Sequence, residues 1–138
     1  KLMGAQNVRG EGFVRAGELE EGMTFGMLCM RAQQKLHAAV RAYGAADTPV
    51  HMLGCCSGAG GSELDDALAL GADCFITGEI RHHAALDAVD QGCCVIEAGH
   101  FETENPICEV LAAALQNAAD ALQYNLTVFC LKGNPFGR

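Results

Sequence analysis

Cys93-Cys94-Val95-Ile96-Glu97-Ala98-Gly99-His100-Phe101-Glu102-Thr103-Glu104 is the stretch on which the fold turns. An apolar strand anchored by Val95 and Ile96 runs into Gly99 and then delivers His100 and Glu104. Open α/β sheets place their ligands beyond the C-terminal ends of the strands. An imidazole and a carboxylate four residues apart therefore stand where chemistry is expected. Such a pair can reach one divalent ion, zinc, manganese or iron, for which mixed nitrogen and oxygen donors are suited. Two side chains do not complete its coordination. The same residues also have a plainer reading, with Glu104 complementing a helix N-terminus by its charge and His100 a loop histidine.

Working outward, Pro49 to Cys55 reads as a short strand that empties into Ser57-Gly58-Ala59-Gly60-Gly61-Ser62, with Ser62 capping a helix to about Leu70. Cys74-Phe75-Ile76-Thr77 is the next strand, followed by Gly78-Glu79 and a helix that carries His82 and His83. Upstream, Phe25, Leu28, Cys29, Ala32, Leu36, Ala39, Val40 and Tyr43 recur at helical spacing between a Thr24 cap and Gly44. Downstream, Ile107, Val110, Leu111, Ala114, Leu115, Ala118 and Leu122 make the apolar face of a long helix. Thr103 or Asn105 is its cap, and Pro106 is tolerated in its first turn. Leu126 to Leu131 reads as a closing strand. Strands alternating with helices at this pace predict an α/β fold with a mainly parallel sheet flanked by helices. Residues 1–23 are expected to be a linker with one early extended segment near Gly12-Phe13-Val14-Arg15, and residues 24–138 the α/β metal-binding domain.

The bulk properties limit the function classes. A chain of 138 residues, half of them apolar and 19% charged, is one domain with a hydrophobic core. A net charge of −8, with nine scattered Lys and Arg, argues against nucleic acid as a partner. No apolar run reaches the ~18 residues of a membrane span, and no leader begins the chain at Lys1, so a cytoplasmic protein is expected. The missing initiator Met suggests a processed or partial chain. Eight cysteines without any C-x-x-C exclude a zinc ribbon and a thioredoxin motif. Cys29, Cys74, Cys94 and Cys130 fall in apolar segments, where thiols pack as small hydrophobes in a reducing compartment.

Other residues could join the chemistry. Neighbouring parallel strands end at one sheet edge, so His83 could approach His100 as ligand, general base or orienting partner. For His82 the plainer reading, two solvent-facing histidines on a short helix, stands equally well. Glu79 and Glu97, also at strand ends, could orient an imidazole. Backbone amides of the glycine-rich turn could cradle an anion, or the glycines could serve only a tight turn. The turn lacks the lysine of a phosphate loop, and G-x-S-x-G is absent.

Four segments match one family in order and spacing: Gly12-Phe13-Val14-Arg15-Ala16-Gly17-Glu18-Leu19; Cys55 to Ser62; Gly71-Ala72-Asp73-Cys74-Phe75-Ile76-Thr77-Gly78-Glu79-Ile80-Arg81-His82-His83; and Ala98 to Glu104. Over about residues 9 to 136 the chain resembles the C-terminal half of the NIF-three-like dinuclear metal-centre proteins, the GTP cyclohydrolase I type 2 homologues. That resemblance implies one half of a two-lobed fold, a homo-oligomer (a hexamer) and two divalent metals in each complete subunit. His100 and Glu104 would be metal ligands, with the remaining ligands on an N-terminal half. Ala84, Val14 and Asn134 depart from the family's usual residues.

Two functions are then in view. One is a metal-dependent hydrolase in which two metals lower the pKa of a bridging water toward about 7 for attack on a nucleotide or similar small molecule. His83 would be its catalytic proton carrier, and the isolated chain would be inactive. The other is a non-enzymatic oligomeric scaffold or regulatory binding module with a structural or vestigial metal site.

Overall fold

The computed structural model describes residues 2–10, 12–131 and 133. Asn134 and the residues after it lie outside the described residues. The elements are β1 (Gln6–Arg9), β2 (Arg15–Glu18), α1 (Phe25–Leu36), β3 (Arg41–Tyr43), β4 (Met52–Cys56), α2 (Leu64–Ala69), β5 (Cys74–Thr77), α3 (His82–Asp90), β6 (Cys94–Glu97), α4 (His100–Glu104) and α5 (Pro106–Ala121). A 3-10 turn, Gly60–Glu63, precedes α2.

The strands form one sheet in the order β1-β2-β4-β5-β6-β3. Only β4-β5 and β5-β6 pair in parallel, whereas β1-β2, β2-β4 and β3-β6 are antiparallel. The expected mainly parallel sheet is therefore corrected to a mixed sheet in which most pairings are antiparallel. The strand-helix alternation does produce a parallel centre, with β4, β5 and β6 joined through α2 and α3. Its flanks come from elsewhere: a hairpin of β1 and β2 on one side and the three-residue β3 on the other.

Strand β3 lies inside what the apolar spacing reads as the end of a helix. Helix α1 stops at Leu36 because His37 turns left-handed (φ 53°) and its N–H bonds to the Gln33 carbonyl. That C-cap geometry ends the intrahelical ladder and frees Arg41–Tyr43 to pair with β6.

Side chains alternate across the sheet with the period of two that a strand imposes. Cys74, Ile76, Cys94 and Ile96 pack on one face with Phe25, Leu28 and Ala32 of α1. Phe75 and Val95 pack on the other with Leu64 and Ala67 of α2 and Ala85 and Ala88 of α3. Strand β5 is buried along its whole length. Its start is fixed by Asp73, whose carboxylate accepts the backbone N–H groups of His51 (2.9 Å) and Met52 (3.0 Å) and so ties β4 to β5.

Among the described residues, the chain beyond Ala98 joins neither core cluster. Helix α5 is apolar on one face as expected, yet Ala119 is its one buried residue. The predicted closing strand is not formed: Leu126 to Leu131 pairs with no sheet and lies exposed beside α5.

Burial decides the thiol chemistry. Desolvation raises the pKa of Cys29, Cys55, Cys56 and Cys94, raises Cys74 well above the ordinary value, and pushes Cys93 up to about 12. Cys108 is exposed. Alkylation at neutral pH should modify Cys108 quickly and leave Cys56, Cys74, Cys93 and Cys94 until the chain unfolds. Because folding favours the neutral thiols, their stabilisation is complete below the ordinary value of 9.0 and is lost as pH rises from there toward about 12. Urea midpoints measured across that interval should fall.

Candidate functional site

The loops that leave β4, β5 and β6 meet at one end of the sheet, and threonines hold them together. Among the described residues, Thr77 is the buried polar side chain, fully enclosed at the end of β5. Its Oγ1 accepts the Gly60 N–H at 3.0 Å and donates to the Gly58 carbonyl at 3.2 Å. Those two bonds fasten the glycine-rich turn to β5. The Glu79 N–H also donates to the Gly58 carbonyl, at 2.9 Å.

Thr103, in α4, clamps the same turn from the other side by accepting the Gly58 N–H at 3.0 Å. Its own hydroxyl is 2.9 Å from the Gly99 carbonyl. The Ala98 and Gly99 N–H groups donate to the Thr77 and Gly78 carbonyls at 2.9 and 3.0 Å, which joins the third loop to the second. Glycine is required where these backbones meet. A Cβ on Gly78 would lie 2.6 Å from the Gly58 carbonyl and 2.8 Å from the His100 Cα, and Gly58 itself has φ +69°.

This cluster sets the direction of His100. Its Nδ1 faces Glu79 at 3.1 Å, and its Nε2 faces Glu104 at 3.4 Å. The structure thus brings His100 and Glu104 together, and of the two strand-end acids Glu79 is the one that meets His100, whereas Glu97 pairs with Arg41. The side chains of His100, Glu79 and Glu104 are about half exposed. Each ion pair is therefore worth roughly 0–1 kcal/mol, too little to hold the loops on its own.

The arrangement does not fit a two-metal centre. The two ring nitrogens diverge, so one ion can take only one of them, and Glu79 sits at the nitrogen that Glu104 does not face. Only two donors remain for a shared point, whereas catalytic zinc sites use three protein ligands and structural sites four. The Gly58 Cα faces the same point, since a Cβ there would be 2.6 Å from Glu104 Oε1 and 3.2 Å from His100 Nε2. Among the described residues no group of three His, Cys, Asp or Glu could hold a metal ion. The expected pair of zinc, manganese or iron ions is corrected on this ground. So is the metal-activated hydrolase, which has no cluster here to bind its ions.

His83 shares a cleft wall with Glu79, the residue that faces His100 Nδ1. The cleft, of about 660 Å³, is also lined by Ala59, Gly61, Ser62, Ile80, Arg81 and Ala84. His82 leaves that cleft and tilts against Tyr43, ring centroids 5.8 Å apart. Ser62 does not cap α2; its hydroxyl bonds Glu63 at 2.8 Å. Sequence reasoning missed Thr77 and Thr103, although a threonine directly before the strand-end Gly78 was the available signal.

A mixed α/β sheet with a threonine-stapled loop cluster at the ends of its parallel strands defines the structural class. Within it, the chain belongs to the Duf34/NIF3 (NGG1p interacting factor 3) family, whose model matches residues 2–135. It is 31% identical over 128 residues to a GTP cyclohydrolase 1 type 2 homolog of Clostridium acetobutylicum, covering 92% of this chain and 48% of that protein. It is 29% identical to the NIF3 homolog of Schizosaccharomyces pombe, covering 91% of this chain and 46% of that one. Among solved structures, the Bacillus cereus protein related to NIF3 superposes with a TM-score of 0.82 at 29% identity, covering 91% of this chain and 35% of that chain. The chain thus spans about half the length of the curated relatives it matches. No described helix is long and apolar enough to cross a membrane.

Replacing Thr77 by Val keeps the shape but removes the hydroxyl's bonds to the Gly60 N–H and the Gly58 carbonyl, leaving the Gly60 N–H only its 3.1 Å bond to the Gly58 carbonyl. The expected loss is about 1–3 kcal/mol in urea unfolding. Amide exchange at Gly58 and Gly60 should accelerate more than at the centre of β5.

Proposed function

We propose that this chain acts as a non-enzymatic, self-associating module, a scaffold of like subunits in which the His100–Glu104 pair is vestigial as a metal site. The observation that carries the reading is α5. Its apolar stripe stands open, with Ile107, Val110, Leu111, Leu115 and Leu122 each between 52% and 65% exposed. Apolar patches of that continuity on a folded domain mark association surfaces.

The extended run beside it enlarges the same face. Gln116 on α5 reaches across to that run, accepting the Val128 N–H at 2.9 Å and donating to the Leu126 carbonyl at 3.3 Å. Phe129 and Leu131 beyond are 80% and 93% exposed. A second copy of this chain is the occupant that the surface suits. A helix with one apolar stripe can pair with its own copy about a two-fold axis, so one patch serves both partners. Fully burying a Leu, Ile or Val side chain contributes about 1.5–3 kcal/mol, and a few such residues suffice for a stable dimer.

Sedimentation velocity at micromolar concentration should therefore show a concentration-dependent oligomer. Leu111→Glu and Leu115→Glu should each weaken it by about tenfold or more, a loss of roughly 1.4 kcal/mol. The melting temperature measured under monomeric conditions should hardly change, because neither side chain is buried in the monomer. A wild-type chain that stays monomeric, or variants that assemble as well as wild type, would overturn the reading.

A further inference from the structure

The cleft between the glycine-rich turn and the start of α3 shares no lining residue with the open face of α5. At about 660 Å³ it falls within the range of small-molecule sites and lies at the C-terminal ends of β4 and β5. Arg81 and His83 form part of its wall, and among the described residues neither side chain takes part in a hydrogen bond or ion pair. A guanidinium and an imidazole, both with unpartnered side chains, therefore share one wall of the cleft.

We propose that this cleft binds a small phosphate monoester bearing a neighbouring hydroxyl group. The phosphate would be held by the side chains of Arg81 and His83. A guanidinium presents its donors in a planar fork that matches phosphate oxygens, and such charge-assisted bonds are about twice as strong as neutral ones. The glycine-rich turn contributes shape more than charge here. Its Gly58 and Gly60 amides are already committed to Thr103 and Thr77, so they point into the fold and not at a ligand.

Glu79 completes the chemistry. Its carboxylate lies on the same wall, 3.1 Å from His100 Nδ1. A carboxylate in that place repels a second phosphate and accepts a hydroxyl. The site therefore favours a hydroxylated monoester, and sugar phosphates have that chemistry. No bond is made or broken in this binding. The proposal goes beyond the self-association reading and does not require it.

The test is a titration of the full chain with inorganic phosphate and with ribose 5-phosphate, followed by backbone amide NMR shifts. Saturable shifts are expected at Gly61, Ser62 and residues 81–84, with ribose 5-phosphate binding more tightly than phosphate. Arg81→Gln should weaken both ligands by about tenfold. Glu79→Gln should erase the preference for the sugar ester, and Arg41→Gln, at the far edge strand, should change nothing. Shifts that do not saturate, that appear away from the cleft, or that persist unchanged in R81Q would overturn the proposal. Sedimentation of the same R81Q sample separates the two readings, because loss of ligand with assembly intact leaves self-association standing.

Discussion

The geometry at the functional end of this molecule depends on one enclosed hydroxyl. Thr77 Oγ1 lies in a fully buried position and satisfies a donor and an acceptor of the glycine-rich turn at once. A buried polar group without partners costs about 1–3 kcal/mol, so the turn and the threonine hold each other in place. Thr103 repeats the device from α4. With both in position, three loops from three strands become one hydrogen-bonded block, and the glycines at 58 and 78 are what let the backbones approach closely enough. The direction of His100 follows from this block, not from the weak ion pairs it makes.

The charges at the site therefore describe an outcome more than a cause. An imidazole between two half-exposed carboxylates is stable enough to persist but contributes little to folding. It presents two donors to any one point, fewer than a resident metal needs. What distinguishes the chain energetically is elsewhere, in the apolar stripe of α5 and the uncovered run beyond it. The domain buries β5 completely yet leaves five large aliphatic side chains of one helix in solvent, and the proposed self-association rests on that contrast.

Much of this was legible before any coordinates. Strands β4, β5 and β6, helices α2 and α3, and the meeting of His100 with Glu104 follow from apolar runs, glycine punctuation and spacing. The approach of Glu79 to an imidazole follows from its place at a strand end. The edges of the sheet were not legible, because Val40 and Tyr43 fall on helical spacing while the left-handed His37 that ends α1 carries no sequence signal as strong as glycine. Leu126 to Leu131 has the composition of a strand, but it lies beside α5, where Gln116 takes the Leu126 carbonyl and the Val128 N–H, and it reaches neither free edge of the sheet, β1 or β3. The metal centre was inferred from a family pattern whose two residues are present. Whether further donors converge on them is a tertiary property, and Gly58 stands where they would have to enter.

Anomalous X-ray diffraction from crystals of this chain soaked in a zinc salt tests the central claim most directly. The stapled loops predict His100 still turned between Glu79 and Glu104, with no anomalous peak bridging the imidazole and the Glu104 carboxylate. A zinc peak bound to both at about 2.0–2.2 Å, with further protein ligands completing the shell, would contradict it.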